Sequence, residues 1–63
     1  MNDKKLKVGE KRKLEILEAA KKCFLEKGFQ NTTMEDVIEK VSLSKGGVYY
    51  HYGSTYEMIY DFM

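Results

Sequence analysis

The sequence predicts an all-α domain, a three-helix bundle with a helix-turn-helix, followed by the start of a fourth helix. Three observations support this prediction. Apolar residues recur at helical spacing along the first half of the chain, and no proline interrupts it. Serine and threonine residues that can cap a helix precede each of the last three segments. Glycines follow the first and third segments, where they can end a helix.

Length and composition allow one small domain without a cofactor or metal. The 63 residues include one cysteine, Cys23, and one histidine, His51, so neither an intramolecular disulfide nor a zinc site can be built from them. Cys23 lies on an apolar helix face, which is typical of a core residue in a reducing compartment. The sequence contains neither a run of apolar residues long enough to span a membrane nor a signal peptide. We therefore expect a cytoplasmic protein with no membrane partner.

Positive charge is concentrated at the start of the chain. The formal net charge is +1, yet residues 1–13 carry six lysine or arginine residues against two acidic ones, a net charge of +4. Residues 1–9 are predicted to form a flexible basic arm. Such an arm can bind nucleic acid or remain a solvated terminus, and charge alone does not decide between them.

The helix-turn-helix domain is predicted over residues 10–53, and its first helix runs from about Glu10 to Lys27. A cation followed by Gly28 marks the end of that helix, because glycine can adopt a left-handed turn there. Phe29 is placed to fold back onto the core. The inward face of the helix is predicted to consist of Ile16, Leu17, Ala20, Cys23 and Phe24.

The second helix is predicted over about Met34–Val41, directly after a capping signal. Thr32 with Glu35 and Thr33 with Asp36 both have the capping-box spacing, and the sequence does not decide between them. The inward residues of this helix are predicted to be Val37, Ile38 and Val41.

The stretch Ser42–Ser54 is predicted to form the turn and the second helix of the motif. Ser44 caps this helix, which leaves its first backbone N–H groups facing outward. Gly46 and Gly47 each cost the helix about 1 kcal/mol relative to alanine. The glycines are explained if the bare backbone lies close against another molecule, such as the base edges of a duplex.

Four consecutive aromatic residues, Tyr49, Tyr50, His51 and Tyr52, follow these glycines. One helix cannot bury four successive side chains, so at least two must be exposed. Val48 and Tyr52 lie one turn apart and are predicted to be in the core, which leaves the other three for DNA contact or, for His51, simple exposure. Because no serine, cysteine or carboxylate is spaced to work with His51, an enzyme is the weakest interpretation.

Residues 54–63 are predicted to begin a connecting helix. Gly53 ends the third helix, and Ser54 with Glu57 has the spacing of a second capping box. Because the chain stops inside an amphipathic segment, we expect it to be part of a longer protein. The apolar stripe of this segment consists of Met58, Ile59, Phe62 and Met63.

One ordered set of residues carries a resemblance to a known family. The set comprises Ile16-Leu-x-x-Ala20, Cys23-Phe24, Gly28-Phe29, Thr32-Thr33, Val37 and Ser44-Lys-Gly-x-Val-Tyr-Tyr-His-Tyr. From about residue 11 to 63 the chain resembles the N-terminal domain of the TetR family of bacterial transcriptional repressors. The resemblance implies a homeodomain-like fold and a homodimer formed through a larger C-terminal domain, outside this sequence, that binds a small-molecule effector.

The resemblance also implies which residues contact double-stranded DNA. Those at the start of the second helix would meet phosphates, and the first residues of the third helix would lie at the mouth of the major groove. Tyr49 would reach base edges or the backbone, whereas Tyr50 and His51 would hydrogen-bond phosphates. The implied contact residues are Thr32, Thr33, Ser44, Lys45, Gly46, Gly47, Tyr49, Tyr50 and His51.

Four positions depart from the family pattern. Ser42 replaces the turn glycine, which requires a strained conformation or a slightly different turn. Ile38 replaces a usual alanine and predicts a wider separation of two helices. Tyr52 replaces phenylalanine, so its hydroxyl needs a partner or solvent. Thr55 replaces a lysine that would contact a phosphate, which predicts weaker binding or reliance on the basic arm.

These observations favour a sequence-specific DNA-binding transcriptional regulator. We expect a repressor that binds a palindromic operator as a dimer and is released by a small-molecule inducer. The alternative is a helical protein-interaction module without DNA binding, which the mildly acidic body of the chain and Thr55 support.

Overall fold

The computed structural model of the chain describes residues 8–62, and within them it confirms an all-helical domain without strands. The four helices are α1 (Val8–Lys27), α2 (Met34–Lys40), α3 (Lys45–His51) and α4 (Thr55–Tyr60). A short 3-10 turn, Phe29–Asn31, joins α1 to α2. No helix in the described part of the chain is long and apolar enough to cross a membrane.

The helix α1 begins two residues earlier than predicted. Val8 and Gly9, the end of the predicted arm, belong to α1, and residues 1–7 of that arm lie outside the described residues. A glycine lowers helix stability without ending a helix, and Glu10 in the first turn interacts favourably with the positive end of the helix dipole.

The core contains residues from all four helices and Tyr52, the residue directly after α3. The prediction for α1 is confirmed, because Ile16, Ala20 and Cys23 are fully buried and Leu17 and Phe24 pack against them. Burial also raises the pKa of the Cys23 thiol, so this side chain behaves as a small apolar residue. The buried residues are Ile16, Ala19, Ala20, Cys23, Val37, Val48, Tyr52 and Met58.

The connection from α1 to α2 depends on one glycine and one buried threonine. Gly28 has a φ of 84°, a conformation that favours glycine, and its N–H donates to the Phe24 carbonyl at 2.9 Å. The hydroxyl of Thr32 donates to the Gly28 carbonyl at 2.9 Å. The half-buried ring of Phe29 lies 5.3 Å from that of Phe24 and 5.1 Å from that of Tyr56, so it folds back onto rings at the edge of the core.

Of the two possible capping boxes before α2, the one that forms joins Thr33 and Asp36. The Asp36 N–H donates to the Thr33 hydroxyl at 3.2 Å, and the Thr33 N–H donates to the Asp36 carboxylate at 2.9 Å. Lys27 adds an ion pair to Asp36 at 3.0 Å. The hydrogen bond from the Thr33 N–H, and after it the contact with Lys27, lower the pKa of the Asp36 carboxyl. The start of α2 is thereby tied to the end of α1.

The turn between α2 and α3 is held by a side chain of α1. Both the N–H and the hydroxyl of Ser42 donate to one carboxylate oxygen of Glu15, each at 2.8 Å. These two hydrogen bonds, that from the N–H first, lower the pKa of Glu15. The serine that replaces the family's glycine therefore anchors the turn to α1.

A tyrosine and an aspartate join the end of α3 to the end of α4. The hydroxyl of Tyr52 donates to Asp61 Oδ2 at 2.5 Å, so the predicted need for a partner is met within the domain. Burial of the ring and then this contact raise the pKa of Tyr52.

The predicted capping box before α4 is only half formed. The Ser54 hydroxyl accepts from the Glu57 N–H at 3.4 Å, but the Glu57 carboxylate accepts from the N–H of Gly53 at 2.9 Å instead of from the cap residue. Of the predicted apolar stripe, Met58 is buried, Ile59 is half-buried and Phe62 is 43% exposed, while Met63 lies outside the described residues.

We predict that Ile16→Val lowers the free energy of unfolding by about 1 kcal/mol, because it removes one buried methylene from the centre of the core. A conservative change is chosen because a domain of this size has only a few kcal/mol of stability in total. The measurement is urea denaturation followed by circular dichroism. Leu25→Ala is the control, since Leu25 is 78% exposed, and an equal loss in both variants would contradict the assigned core.

We predict that Glu15→Gln destabilises the fold at pH 7 and that the difference from the unaltered chain disappears in acid. A carboxylate whose pKa is lowered on folding contributes stability above its unfolded pKa of about 4.3, and this contribution is lost as the pH falls through the lower folded value. Denaturation midpoints between pH 7 and pH 2 measure it. Glu18→Gln, on the exposed face of the same helix, is the control, and parallel pH curves for Glu15→Gln and the unaltered chain would disprove the prediction.

Candidate nucleic-acid interface

The start of α3 is capped as the sequence predicts. Ser44 is extended, with φ −71° and ψ 165°, and its hydroxyl accepts from the Gly47 N–H at 3.1 Å. The Ser44 carbonyl accepts the first helical hydrogen bond, from the Val48 N–H at 3.1 Å. The N–H groups of Lys45 and Gly46 precede any carbonyl of the helix that could pair with them, and both residues are exposed.

The two glycines of α3 are not required by contacts within the domain. A Cβ atom at Gly46 would have no atom within 4 Å of it, and one at Gly47 would make ordinary contacts of 3.5 Å with Ser44 and 3.6 Å with Leu43. Neither glycine has a positive φ. Among the described residues, no close contact therefore explains either glycine, and a Cβ atom at Gly46 would face open space.

The outer face of α3 is aromatic. Tyr50 is 85% exposed and Tyr49 is 41% exposed, which confirms that at least two of the four consecutive aromatic side chains lie at the surface. Tyr52 points the other way and is buried. The ring of His51 is half-buried and packs edge-on against Tyr50, with ring centres 5.1 Å apart. The exposed hydroxyls can donate to an acceptor outside the protein.

Lys45, at the first position of α3, has a partner that sequence reasoning missed. Its amine lies 3.3 Å from a carboxylate oxygen of Glu35, and both side chains are more than 60% exposed (65% and 61%). Glu35 is in the first turn of α2. Sequence spacing could not identify this pair, because it depends on how α2 and α3 cross.

The two threonines before α2 have different roles. Thr33 is exposed, and its hydroxyl accepts the capping bond, so its own hydrogen remains available to a phosphate. Thr32 is only 6% exposed, and its one hydroxyl hydrogen is donated to Gly28. In the free domain the Thr32 side chain therefore supports the loop and does not face outward.

The remaining eight implied contact residues are exposed or half-buried, and they lie on two elements. Thr33 is at the start of α2, and the salt bridge between Glu35 and Lys45 joins that region to the start of α3. Thr55, where the family pattern has lysine, is the half-buried first residue of α4. The residues on α3 and its cap are Ser44, Lys45, Gly46, Gly47, Tyr49, Tyr50 and His51.

The helix-turn-helix carries little positive charge of its own. Residues 28–62 contain two lysines and five carboxylates, a formal charge of −3 with neutral histidine. In the described part of the chain, no three His, Cys, Asp or Glu side chains are arranged to hold a metal ion. The surface is thus suited to hydrogen bonding and close approach more than to general attraction of anions.

Comparisons with known proteins identify the family of this chain. The sequence model of "Bacterial regulatory proteins, tetR family" matches residues 16–60. An uncharacterised HTH-type transcriptional regulator of Bacillus subtilis, YfiR, is 57% identical over 49 residues, which cover 78% of this chain and 24% of that protein.

Two further relatives have names that state a direction of regulation. The HTH-type transcriptional repressor AcnR of Corynebacterium diphtheriae is 39% identical over 41 residues, covering 65% of this chain and 22% of that protein. The icaADBC negative transcriptional regulator IcaR of Staphylococcus epidermidis is 37% identical over 43 residues, covering 68% and 23%. The chain spans about a quarter of the length of these relatives, and it belongs to the TetR family of bacterial regulatory proteins.

Proposed function

We propose that this chain is the DNA-binding part of a transcriptional repressor and that α3 enters the major groove of a duplex operator. The observation that carries the proposal is the bare, open backbone at Gly46 beside the exposed rings of Tyr49 and Tyr50. The folded domain offers no internal reason for a glycine at that position. Binding in the major groove would give a reason for glycine, because the helix backbone can then approach base edges closely.

Different residues of this surface would contact phosphates and base edges. Thr33, Tyr50 and His51 would donate to phosphates and so set the position of the domain on the duplex. Lys45 and Tyr49 would reach base edges, where a lysine suits the paired acceptors O6 and N7 of guanine. Sequence preference would then depend on a few side chains at the start of α3.

The longer protein would supply dimerisation and control. Two copies of α3 about 34–36 Å apart would meet successive major grooves of a palindromic operator. Because this chain spans about a quarter of its relatives, a C-terminal domain of the longer protein would hold the dimer together and bind a small-molecule effector. Effector binding would change the separation of the two α3 helices and release the DNA. The names of AcnR and IcaR support repression, and the protein would act in the cytoplasm.

The second candidate function is a helical protein-interaction module that does not bind DNA. It is favoured by the formal charge of −3 on residues 28–62 and by Thr55 in place of a phosphate-binding lysine.

Selection from random-sequence duplexes, followed by titration at several KCl concentrations, separates the two functions. If α3 and its neighbours contact phosphates, the logarithm of the association constant falls linearly with the logarithm of salt, with a slope of about −0.9 per neutralised phosphate. Fluorescence anisotropy of labelled duplexes measures this. An interaction module would retain no duplex at any salt concentration.

We predict that Tyr50→Phe and Lys45→Ala weaken binding in different ways. Tyr50→Phe removes one hydrogen bond to a phosphate, so affinity for every duplex should fall by a similar factor, about fivefold for about 1 kcal/mol. Lys45→Ala should also reduce discrimination between the selected duplex and its single-base variants. Dissociation constants for that duplex set provide the measurement, and equal, sequence-blind losses in both variants would refute the role of Lys45.

We predict that Gly46→Ala makes the domain more stable and a poorer DNA binder. The added methyl group meets no protein atom within 4 Å, so the higher helix propensity of alanine should stabilise the fold by up to about 1 kcal/mol. The same methyl group would stand between the backbone and the base edges, and affinity for the selected duplex should fall about tenfold or more. Urea denaturation and anisotropy titration measure the two effects.

Gly28→Ala is the matched control for that variant. Gly28 also has no atom within 4 Å of an added Cβ, but its φ of 84° makes alanine strained there. It should therefore lose stability and, at temperatures where it remains folded, keep its affinity for DNA. Unchanged DNA affinity in Gly46→Ala would show that this surface does not face the groove.

A further inference from the structure

Each lysine between residues 28 and 62 has a carboxylate partner. Lys40 lies 3.6 Å from Glu26 of α1, and Lys45 lies 3.3 Å from Glu35 of α2. Lys45 is the only lysine or arginine in α3, whose sequence is KGGVYYH. The permanent positive charge at the proposed DNA-reading end of α3 is therefore matched by a negative charge beside it.

The salt bridge between Glu35 and Lys45 is not needed to hold the fold. Both side chains are more than 60% exposed (61% and 65%), and salt bridges between exposed side chains contribute little to stability. The start of α2 already has its own cap, formed by Thr33 and Asp36. As an acidic residue in the first turn, Glu35 interacts favourably with the dipole of α2, but that interaction does not require its contact with Lys45.

A carboxylate at this place changes what Lys45 can bind. A phosphate that approaches the lysine amine also approaches the negative charge of Glu35, and the repulsion offsets much of the attraction. A guanine edge presents neutral acceptors at O6 and N7, which the amine can reach while it stays near the carboxylate. The pair thus weakens the sequence-independent part of DNA binding more than the sequence-dependent part.

We propose that Glu35 is a specificity-determining residue, which pairs with Lys45 and directs the lysine amine to base edges instead of phosphates. This inference rests on the proposed DNA-binding function and adds to it a residue that itself repels DNA.

The test is Glu35→Gln, which keeps the size and polarity of the side chain and removes its charge. Dissociation constants are measured for the selected duplex and for an unrelated duplex across a range of KCl concentrations. We expect affinity for the unrelated duplex to rise about fivefold or more and affinity for the selected duplex to rise less, so that their ratio falls at least about threefold. The salt slope for the unrelated duplex should steepen by about 0.9, the value for one additional phosphate contact.

Glu26→Gln is the matched control, because it makes the same charge change in a salt bridge, that with Lys40, which does not involve α3. It should alter both affinities by less than about twofold. Adding Glu35→Gln to Lys45→Ala should raise affinity for both duplexes by a similar factor and leave their ratio unchanged, because only the repulsion by Glu35 is removed and no amine remains to be released. Circular dichroism of each variant verifies that the helices are intact.

The outcomes separate this inference from the proposed function. If Glu35→Gln and Glu26→Gln change binding equally, only net charge matters and the role of Glu35 is overturned. An unchanged ratio of the two affinities in Glu35→Gln overturns it as well. If the unaltered chain binds no duplex at all, the proposed function fails first and this inference fails with it.

Discussion

The burial of Val48 is the constraint on which the outward face of α3 depends. Val48 is fully buried in the core that the four helices share. Residues two positions away on a helix are rotated by about 200°, so Gly46 and Tyr50 must lie on the side opposite Val48. Because Val48 is the one buried residue of this seven-residue helix, its burial sets which face of the helix points outward. The exposed surface therefore follows from the buried one.

Side chains, rather than the backbone alone, hold the loops that carry this surface. The carboxylate of Glu15 reaches across from α1 to the turn at Ser42, and the hydroxyl of Thr32 closes the loop after Gly28. The Tyr52 hydroxyl fastens the end of α3 to Asp61. A 63-residue domain has a small core, so such hydrogen bonds carry a larger share of the positioning than they would in a large protein.

The charge distribution bears on how such a domain distinguishes an operator from other DNA. General attraction to phosphates raises affinity for every sequence alike. Residues 28–62, which contain the helix-turn-helix and α4, have a formal charge of −3, so this segment would make little use of that attraction and would depend on hydrogen bonds and shape. The proposed close approach at Gly46 and the pairing of Lys45 with Glu35 would both favour contacts that vary with base sequence.

The sequence by itself determined the helices, their approximate ends and most of the core. Helical periodicity identified Ile16, Ala20 and Cys23, and the capping serine with two glycines identified α3, because these signals depend on residues a few positions apart. The same local signals could not choose between Thr32 and Thr33 as the cap.

Only the tertiary structure decided which threonine is buried, which side chain anchors the turn and which carboxylate accompanies Lys45. Ser42 and Glu15 are 27 residues apart in the chain, and Lys45 meets Glu35 only because α2 and α3 cross. Contacts between elements depend on how the helices pack, and the spacing of residues along one helix does not predict that packing.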